Sequence, residues 1–219
     1  MAVWVVISVT GDARRTRLSS EARREQLLAI GVEMLQSKRL EDLSIDDIAS
    51  QAGISRGLLF HYFDSMQDFQ ISVASRIMRG LVDRLDEAAG DELPPEQRLL
   101  TSLAVYIDYI AERPDVYRSV VRGASSHEGM RAMADETREQ VVDLVLANVA
   151  ATLSASGRTI DAPAVRIGAH AWIAMTEELV ARWLTDAVID RDELITRIVA
   201  PLPGLLGLAD VIAPVGSQQ

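Results

Sequence analysis

The chain has 219 residues, 22 Lys and Arg against 32 Asp and Glu, and a net charge of −10. So acidic a balance argues against a general polyanion binder, and the lack of cysteine excludes disulfides, a thiolate nucleophile and a cysteine-held metal. Few aromatics with much Ala, Leu, Val, Glu and Arg favour an all-α protein, and no stretch approaches the roughly twenty apolar residues of a membrane span.

The first ten residues, from Met1 to Thr10, are apolar but lack a positive start and a clear small-residue cleavage site, which argues against a signal peptide. Residues 1–15 read as a disordered arm with no assigned role. A capped amphipathic helix is expected from Ser20 to about Ser37, with Leu27, Ile30, Gly31, Met34 and Leu35 on one face.

The most informative segment is Ser44 to Phe63. Ser44 is a good N-cap with Asp47 three residues on, close to a capping box. Ile45, Ile48, Ala49 and Ala52 then follow helical spacing, and Gly53 can take the positive φ that ends a helix. Ser55 caps a second helix whose Leu59 and Phe63 face inward while Arg56, Gly57, Leu58, Phe60 and His61 face outward. Two short helices joined by a tight turn make a helix-turn-helix, whose second helix can offer its N-terminal residues to the major groove. The same pattern occurs as an ordinary αα corner, so a helical protein–protein adaptor without sequence-specific DNA binding is the rival reading.

Asp64-Ser-Met-Gln-Asp-Phe69 opens a fourth helix running to about Ala89. Three N-terminal helices feeding a long fourth, with the words Ile48-Ala49-x-x-Ala52-Gly53-Ile54-Ser55-Arg56-Gly57 and Leu59-Phe60-His61-Tyr62-Phe63, resemble the TetR family of bacterial transcriptional regulators. The resemblance is specific over residues 20–70. It implies DNA contacts from Ser44, Ser55, Arg56, Gly57, Leu58, Phe60, His61 and Tyr62. Arg56 would read a base, most plausibly guanine, and the serines, His61 and Tyr62 would meet phosphates. Leu58, Phe60 and Met66 depart from a frequent Thr, Tyr and Lys, which makes the implied contact more apolar.

Charge is unevenly spread. Arg14 to Phe63 holds eight cations against seven acids, whereas residues from Asp64 onward hold 14 against 24. Arg14, Arg15, Arg17, Arg23 and Arg24 stand where phosphates would pass.

The remainder reads as a helical body. A fifth helix is expected over about Glu96–Glu112, a sixth from Pro114 to about Gly123, and a seventh from His127 to about Ser154. An eighth runs from Pro163 to about Thr185, and a ninth from Asp190 to about Leu208, interrupted by Pro201 and Pro203. About nine helices result, divided as a helix-turn-helix domain (16–64), an effector-binding and dimerisation domain (65–212) and a tail (213–219).

Candidate effector-site residues are Tyr106, Tyr109, Tyr117, Met133, Trp172, Met175 and Leu179, with His170 and Glu177 as polar anchors. An apolar wall with few polar groups suits a small hydrophobic effector. Trp183, Val188, Ile195, Ile198, Val199, Leu202, Leu205 and Leu206 exceed what one C-terminal end should need, so a homodimer through the last helices is expected. Adjacent Glu177 and Glu178 point to different faces, and no phosphate loop, His-Glu-x-x-His or nucleophile elbow occurs. No enzyme, metal site or cofactor is expected. The family resemblance implies a cytoplasmic, ligand-responsive regulator of operator DNA, most plausibly a repressor, whose effector shifts the fourth helix.

Overall fold

The computed structural model describes residues 19–90, 93–155 and 162–208. The expected arm (1–15), the tail (213–219) and the cations Arg14, Arg15 and Arg17 lie outside the described residues. Within them all regular structure is helical: α1 (Ser20–Met34), a 3₁₀ turn η1 (Leu40–Asp42), α2 (Ile45–Ala52), α3 (Arg56–Leu59) and α4 (Met66–Ala88). Then follow α5 (Pro95–Glu112), α6 (Pro114–Ser126), α7 (Glu128–Ala155), α8 (Ala162–Trp183), α9 (Arg191–Val199) and α10 (Leu202–Leu205). The expected ninth helix is thus two. Pro201 has no N–H to continue the ladder, so α9 ends at Val199 and a single turn, α10, resumes after it.

Serine caps start the N-terminal helices. Ser19, Ser44, Ser55 and Ser65 accept hydrogen bonds from the N–H groups of Ala22, Asp47, Leu58 and Asp68. The Ser44 cap differs from a full capping box. The Asp47 carboxylate takes the Ser44 hydroxyl (2.7 Å) and Lys38 Nζ (2.5 Å) rather than the Ser44 backbone N–H. Asp is one methylene shorter than the Glu that usually reaches back.

Gly53 closes α2 at φ 64° and ψ 37°. The N–H of Ile54 reaches Ala49 O (3.0 Å) and that of Gly53 reaches Ser50 O (3.2 Å), the paired bonds of a Schellman turn. A side chain here would be strained by the backbone alone. α3 is shorter than the sequence pattern promised: after Leu59 the chain tightens into turns, with His61 N bonded to Leu58 O (3.3 Å) and Tyr62 N to Leu59 O (3.0 Å).

α4 is the shared wall of the molecule. Its first half packs on α1 and η1, and the whole helix lies against α5 and α7. The α1 crossing is close at Gly31, where a Cβ would stand 2.6 Å from Val73 Cγ2 and 2.8 Å from the Phe69 ring. Phe69 is fully buried, and the Phe63 ring meets it edge-on at 4.9 Å. Burying such a ring is worth roughly 1.5–3 kcal/mol, so this contact fixes the reader to α4. Arg24 caps the assembly, its guanidinium 4.8 Å above the Phe63 ring and bonded to Ser72 Oγ (2.9 Å). That cation, expected to meet phosphate, is already engaged inside the fold.

In the body α5 and α7 pack on α4, α6 and α8 pack on α7, and α9 and α10 pack on α8. A bidentate pair from Arg191 to Asp108 (2.7 Å at each oxygen) ties α9 to α5. No helix is long and apolar enough to cross a membrane, and among the described residues no His, Cys, Asp or Glu group is placed to hold a metal.

Candidate functional site

Two sites emerge, one at each end of α4. At its N-terminal side α2, the Gly53 turn and α3 present an exposed face. Ser55, Arg56, Gly57 and His61 are exposed on it, and Leu58 and Phe60 expose 38% and 47% of their surface. Leu59 and Phe63 turn inward and are buried. Tyr62 is half-buried and meets the His61 ring edge-on at 5.2 Å. A Cβ at Gly57 would meet nothing within 4 Å, so this backbone is open to close approach. Two of the expected contact residues are engaged within the chain. The Ser44 hydroxyl bonds Asp47, and the Arg56 guanidinium pairs with Asp46 of α2. Met66 is half-buried against the core.

The second site is a cavity of about 150 Å³ enclosed by α4, α5, α6, α7 and α8, with Leu202 of α10 at its margin. Met78, Leu81 and Leu85 of α4 line it, so the helix that carries the reader is also a cavity wall. Of the expected residues, Tyr106, Tyr117, Trp172 and Glu177 face this space. Tyr109 does not: it faces α4, donates to Ile77 O (2.9 Å) and lies between Arg84 and Arg113. Met133 lines a separate groove with Arg24, Ile71 and Ser72. His170 sits 3.3 Å from Glu139 at the outer surface of α8, and Met175 is half-buried against the core outside the cavity. Helical neighbours three or four apart share a face only approximately, so one face of α8 had to be chosen without knowing what it meets.

A polar cluster marks one part of the wall. Tyr106 Oη donates to Tyr117 Oη (3.2 Å), which donates to Glu177 O (3.1 Å). Arg138 Nε reaches both Glu177 carboxylate oxygens (2.9 and 3.1 Å), and its Nη1 reaches Asp135 (2.8 Å). Burial holds both tyrosine hydroxyls above their ordinary range and keeps them neutral, with Tyr117 adding to the effect on Tyr106. Burial opposes the charge of Arg138, but Glu177 and then Asp135 more than offset it.

Sequence reasoning missed Thr137, Arg138 and Asn148. The signal was present on α7, where Thr137, Arg138, Val141, Leu144, Val145, Asn148 and Val149 recur at helical spacing and all line the cavity. Polar residues inside an otherwise apolar stripe are the trace of a wall rather than of solid core.

The expected dimer residues divide. Ile198 is fully buried and Leu202 and Leu206 nearly so, covered by their own chain, with Ile198 O accepting from Trp172 Nε1 (2.7 Å). Ile198 and Leu202 are therefore core, a correction that follows from α9 and α10 folding back on α8. Trp183, Ile195 and Val199 are half-buried. The open apolar surface of this end lies at Ile167 and Val188, 72% and 87% exposed, with Leu205 less so at 38%.

Residues 27–71 match the family model for bacterial regulatory proteins of the tetR family, and residues 95–202 match that for a tetracyclin repressor-like C-terminal domain. The HTH-type transcriptional activator FasR of Mycolicibacterium smegmatis is 25% identical over 187 residues, spanning 84% of this chain and 83% of the relative. A tetR-family transcriptional regulator from Streptomyces coelicolor superposes with a TM-score of 0.69 at 27% identity, over 87% of this chain and 83% of that one. The fold is shared by the Bacillus subtilis transcriptional regulator FadR, solved in complex with stearoyl-CoA (TM-score 0.61, 18% identity, 84% of this chain and 98% of that one). The reader at one end of α4 and the helical body at its other end are thus those of a known lineage, and the chain belongs to the TetR family of DNA-binding transcriptional regulators.

Proposed function

We propose that this protein is a ligand-responsive repressor that acts in the cytoplasm, binds operator DNA as a homodimer, and leaves it when a small hydrophobic effector fills the cavity. The observation that carries this reading is the double duty of α4. Phe69 and Val73 hold the reader, while Met78, Leu81 and Leu85 on the same helix line the cavity. An effector that widens the cavity must move this helix and with it α3. The two reading helices of a dimer must match half-sites about one DNA turn apart, so a small rotation in each subunit breaks the match.

The proposed DNA contacts are Ser55, Arg56, Gly57, Leu58, Phe60, His61 and Tyr62, with Ser44 acting chiefly through its cap. Arg56 is the base reader, and it exchanges Asp46 for a guanine edge on binding. Exposed Leu58 and Phe60 suit thymine methyls or sugars. Effector contacts come from Tyr106, Tyr117, Trp172 and Glu177, joined by Thr137, Thr176 and Arg138. The stearoyl chain in the Bacillus subtilis neighbour supports a long aliphatic occupant for a cavity of this apolar make. The dimer face is the outer side of α8 to α10, built on Ile167, Trp183, Val188, Ile195, Val199 and Leu205.

Selection of bound sequences from a random DNA pool tests the reading and yields the operator. Reporter expression from that operator, with the protein present and absent, then reads the sign of regulation. Repression is expected; activation, as in the name of the mycobacterial relative, overturns the repressor assignment and leaves operator binding standing. Absence of any enriched sequence would instead favour the protein–protein adaptor.

A further inference from the structure

We propose that the cavity selects uncharged amphiphiles ending in a hydrogen-bond donor, such as a long-chain alcohol or primary amide, and discriminates against the carboxylate of the same length. This inference rests on the reading of the cavity as the effector site. It follows from where the hydroxyl and indole protons of the wall already go. Ser102 Oγ donates to Leu85 O (3.3 Å), Thr137 Oγ1 to Met133 O (2.9 Å) and Thr176 Oγ1 to Trp172 O (2.8 Å). The indole N–H of Trp172 donates to Ile198 O (2.7 Å). The two tyrosine hydroxyls donate along the chain from Tyr106 to Tyr117 to Glu177 O. A hydroxyl has one proton and two lone pairs, so what these five hydroxyls still offer is acceptor capacity.

The cation beside the tyrosines is already matched. Arg138 holds Glu177 through both carboxylate oxygens and Asp135 through another nitrogen. Arg98, elsewhere on the wall, commits its Nε to Leu93 O (2.7 Å). At the tyrosine end a carboxylate would lose its water and meet acceptors and the Glu177 carboxylate, while the guanidinium beside it is already paired. An alcohol brings a proton to Tyr106 Oη and leaves the Arg138–Glu177 pair intact. Its chain lies along Leu81, Leu103 and Val145.

The test is calorimetric titration of the full chain near neutral pH with decanol and methyl decanoate below their solubility limits and decanoate below its micelle concentration. Decanol should bind about tenfold or more tighter than decanoate. Methyl decanoate, uncharged but without a donor, should bind about threefold or more weaker than decanol, the loss of one hydrogen bond. Glu177→Gln leaves Arg138 undercompensated and should strengthen decanoate about tenfold. The double change Arg138→Met with Glu177→Gln removes the cation and should cancel that gain. The wild-type ranking stands as a test even where a variant fails to fold. Decanoate binding as tightly as decanol, methyl decanoate matching decanol, or Glu177→Gln leaving decanoate unchanged in a variant that melts as wild type overturns the proposal while the effector cavity survives. Failure of all three probes overturns the cavity reading with it.

Discussion

The Arg56 guanidinium lies against the Asp46 carboxylate, bridging the first turn of α2 to the first turn of α3 across the Gly53 turn. The arginine proposed to read a base is therefore held by an acid that must release it. Both side chains are well exposed, so solvent screens the pair and the release costs little. Arg56→Ala is expected to lower operator affinity by about 1–3 kcal/mol and relax preference at one base pair. Asp46→Asn should act oppositely, strengthening binding to all sequences and most at low salt, because it removes a negative charge from the face proposed to meet phosphates. Mobility-shift titrations at several salt concentrations check both; weaker binding by Asp46→Asn would assign Asp46 a direct role on DNA.

Ser119 of α6 bonds Glu41 of η1 (2.8 Å), only two residues after Tyr117 enters the cavity wall. The body thus touches the reader at a second place besides α4. Coupling between effector and operator in such systems is typically about 5–150-fold and reciprocal. Ser119→Ala should reduce that factor while leaving operator affinity without effector nearly unchanged. Val145→Phe, which fills cavity space, should lower operator affinity with no effector present. Met175, outside the cavity, is the matched control position, and Met175→Phe should have no such effect. Operator affinity measured with and without effector decides; an unchanged factor in Ser119→Ala leaves α4 as the only route.

The outer face of α8 to α10 predicts the oligomeric state. Ile167 exposes 72% of its surface and Val188 87%, apolar side chains that a second subunit would cover. Light scattering at micromolar concentration should return the dimer mass for the wild type and a shift toward monomer for Ile167→Lys. Wild-type protein that scatters only as a monomer would remove the dimer from the proposal.

Acidification should loosen the reader. The Asp47 carboxyl is held below the ordinary 3.8 of an aspartate, first by the hydrogen bond from Lys38 and then by that from Ser44. A carboxyl whose folded value lies below its unfolded one contributes stability that is full above the unfolded value. That contribution is lost as the pH falls through the folded value. Thermal melts between about pH 5 and about pH 3 should show a smaller loss for Asp47→Asn than for the wild type. Equal losses would place the acid-sensitive contacts elsewhere.

At Gly31 α1 crosses α4 with no room for a side chain. A methyl there must displace Val73 and Phe69, both buried, so Gly31→Ala should destabilise by about 1–3 kcal/mol in spite of its better helix propensity. Chemical denaturation measures this, and a stabilised variant would mean that α1 and α4 separate freely.

What the sequence determined by itself was whatever short-range rules govern. The caps at Ser44 and Ser55, the left-handed Gly53, the inward Leu59 and Phe63 and the outward Arg56 all follow from neighbours within one or two turns. The breaks at Pro114 and Pro201 are local too. Tertiary structure decided everything that depends on which face meets which. Arg138 and Glu177, Tyr117 and Glu177, and Ser119 and Glu41 are separated by 39, 60 and 78 residues, and no helical period relates them. For the same reason Tyr106 lines the cavity while Tyr109, one turn on, faces Ile77 of α4. Ile198, apolar enough for an interface, is covered instead by its own chain. Helical spacing states that a face is apolar; only the packed neighbours determine whether core, cavity or a second subunit lies against it.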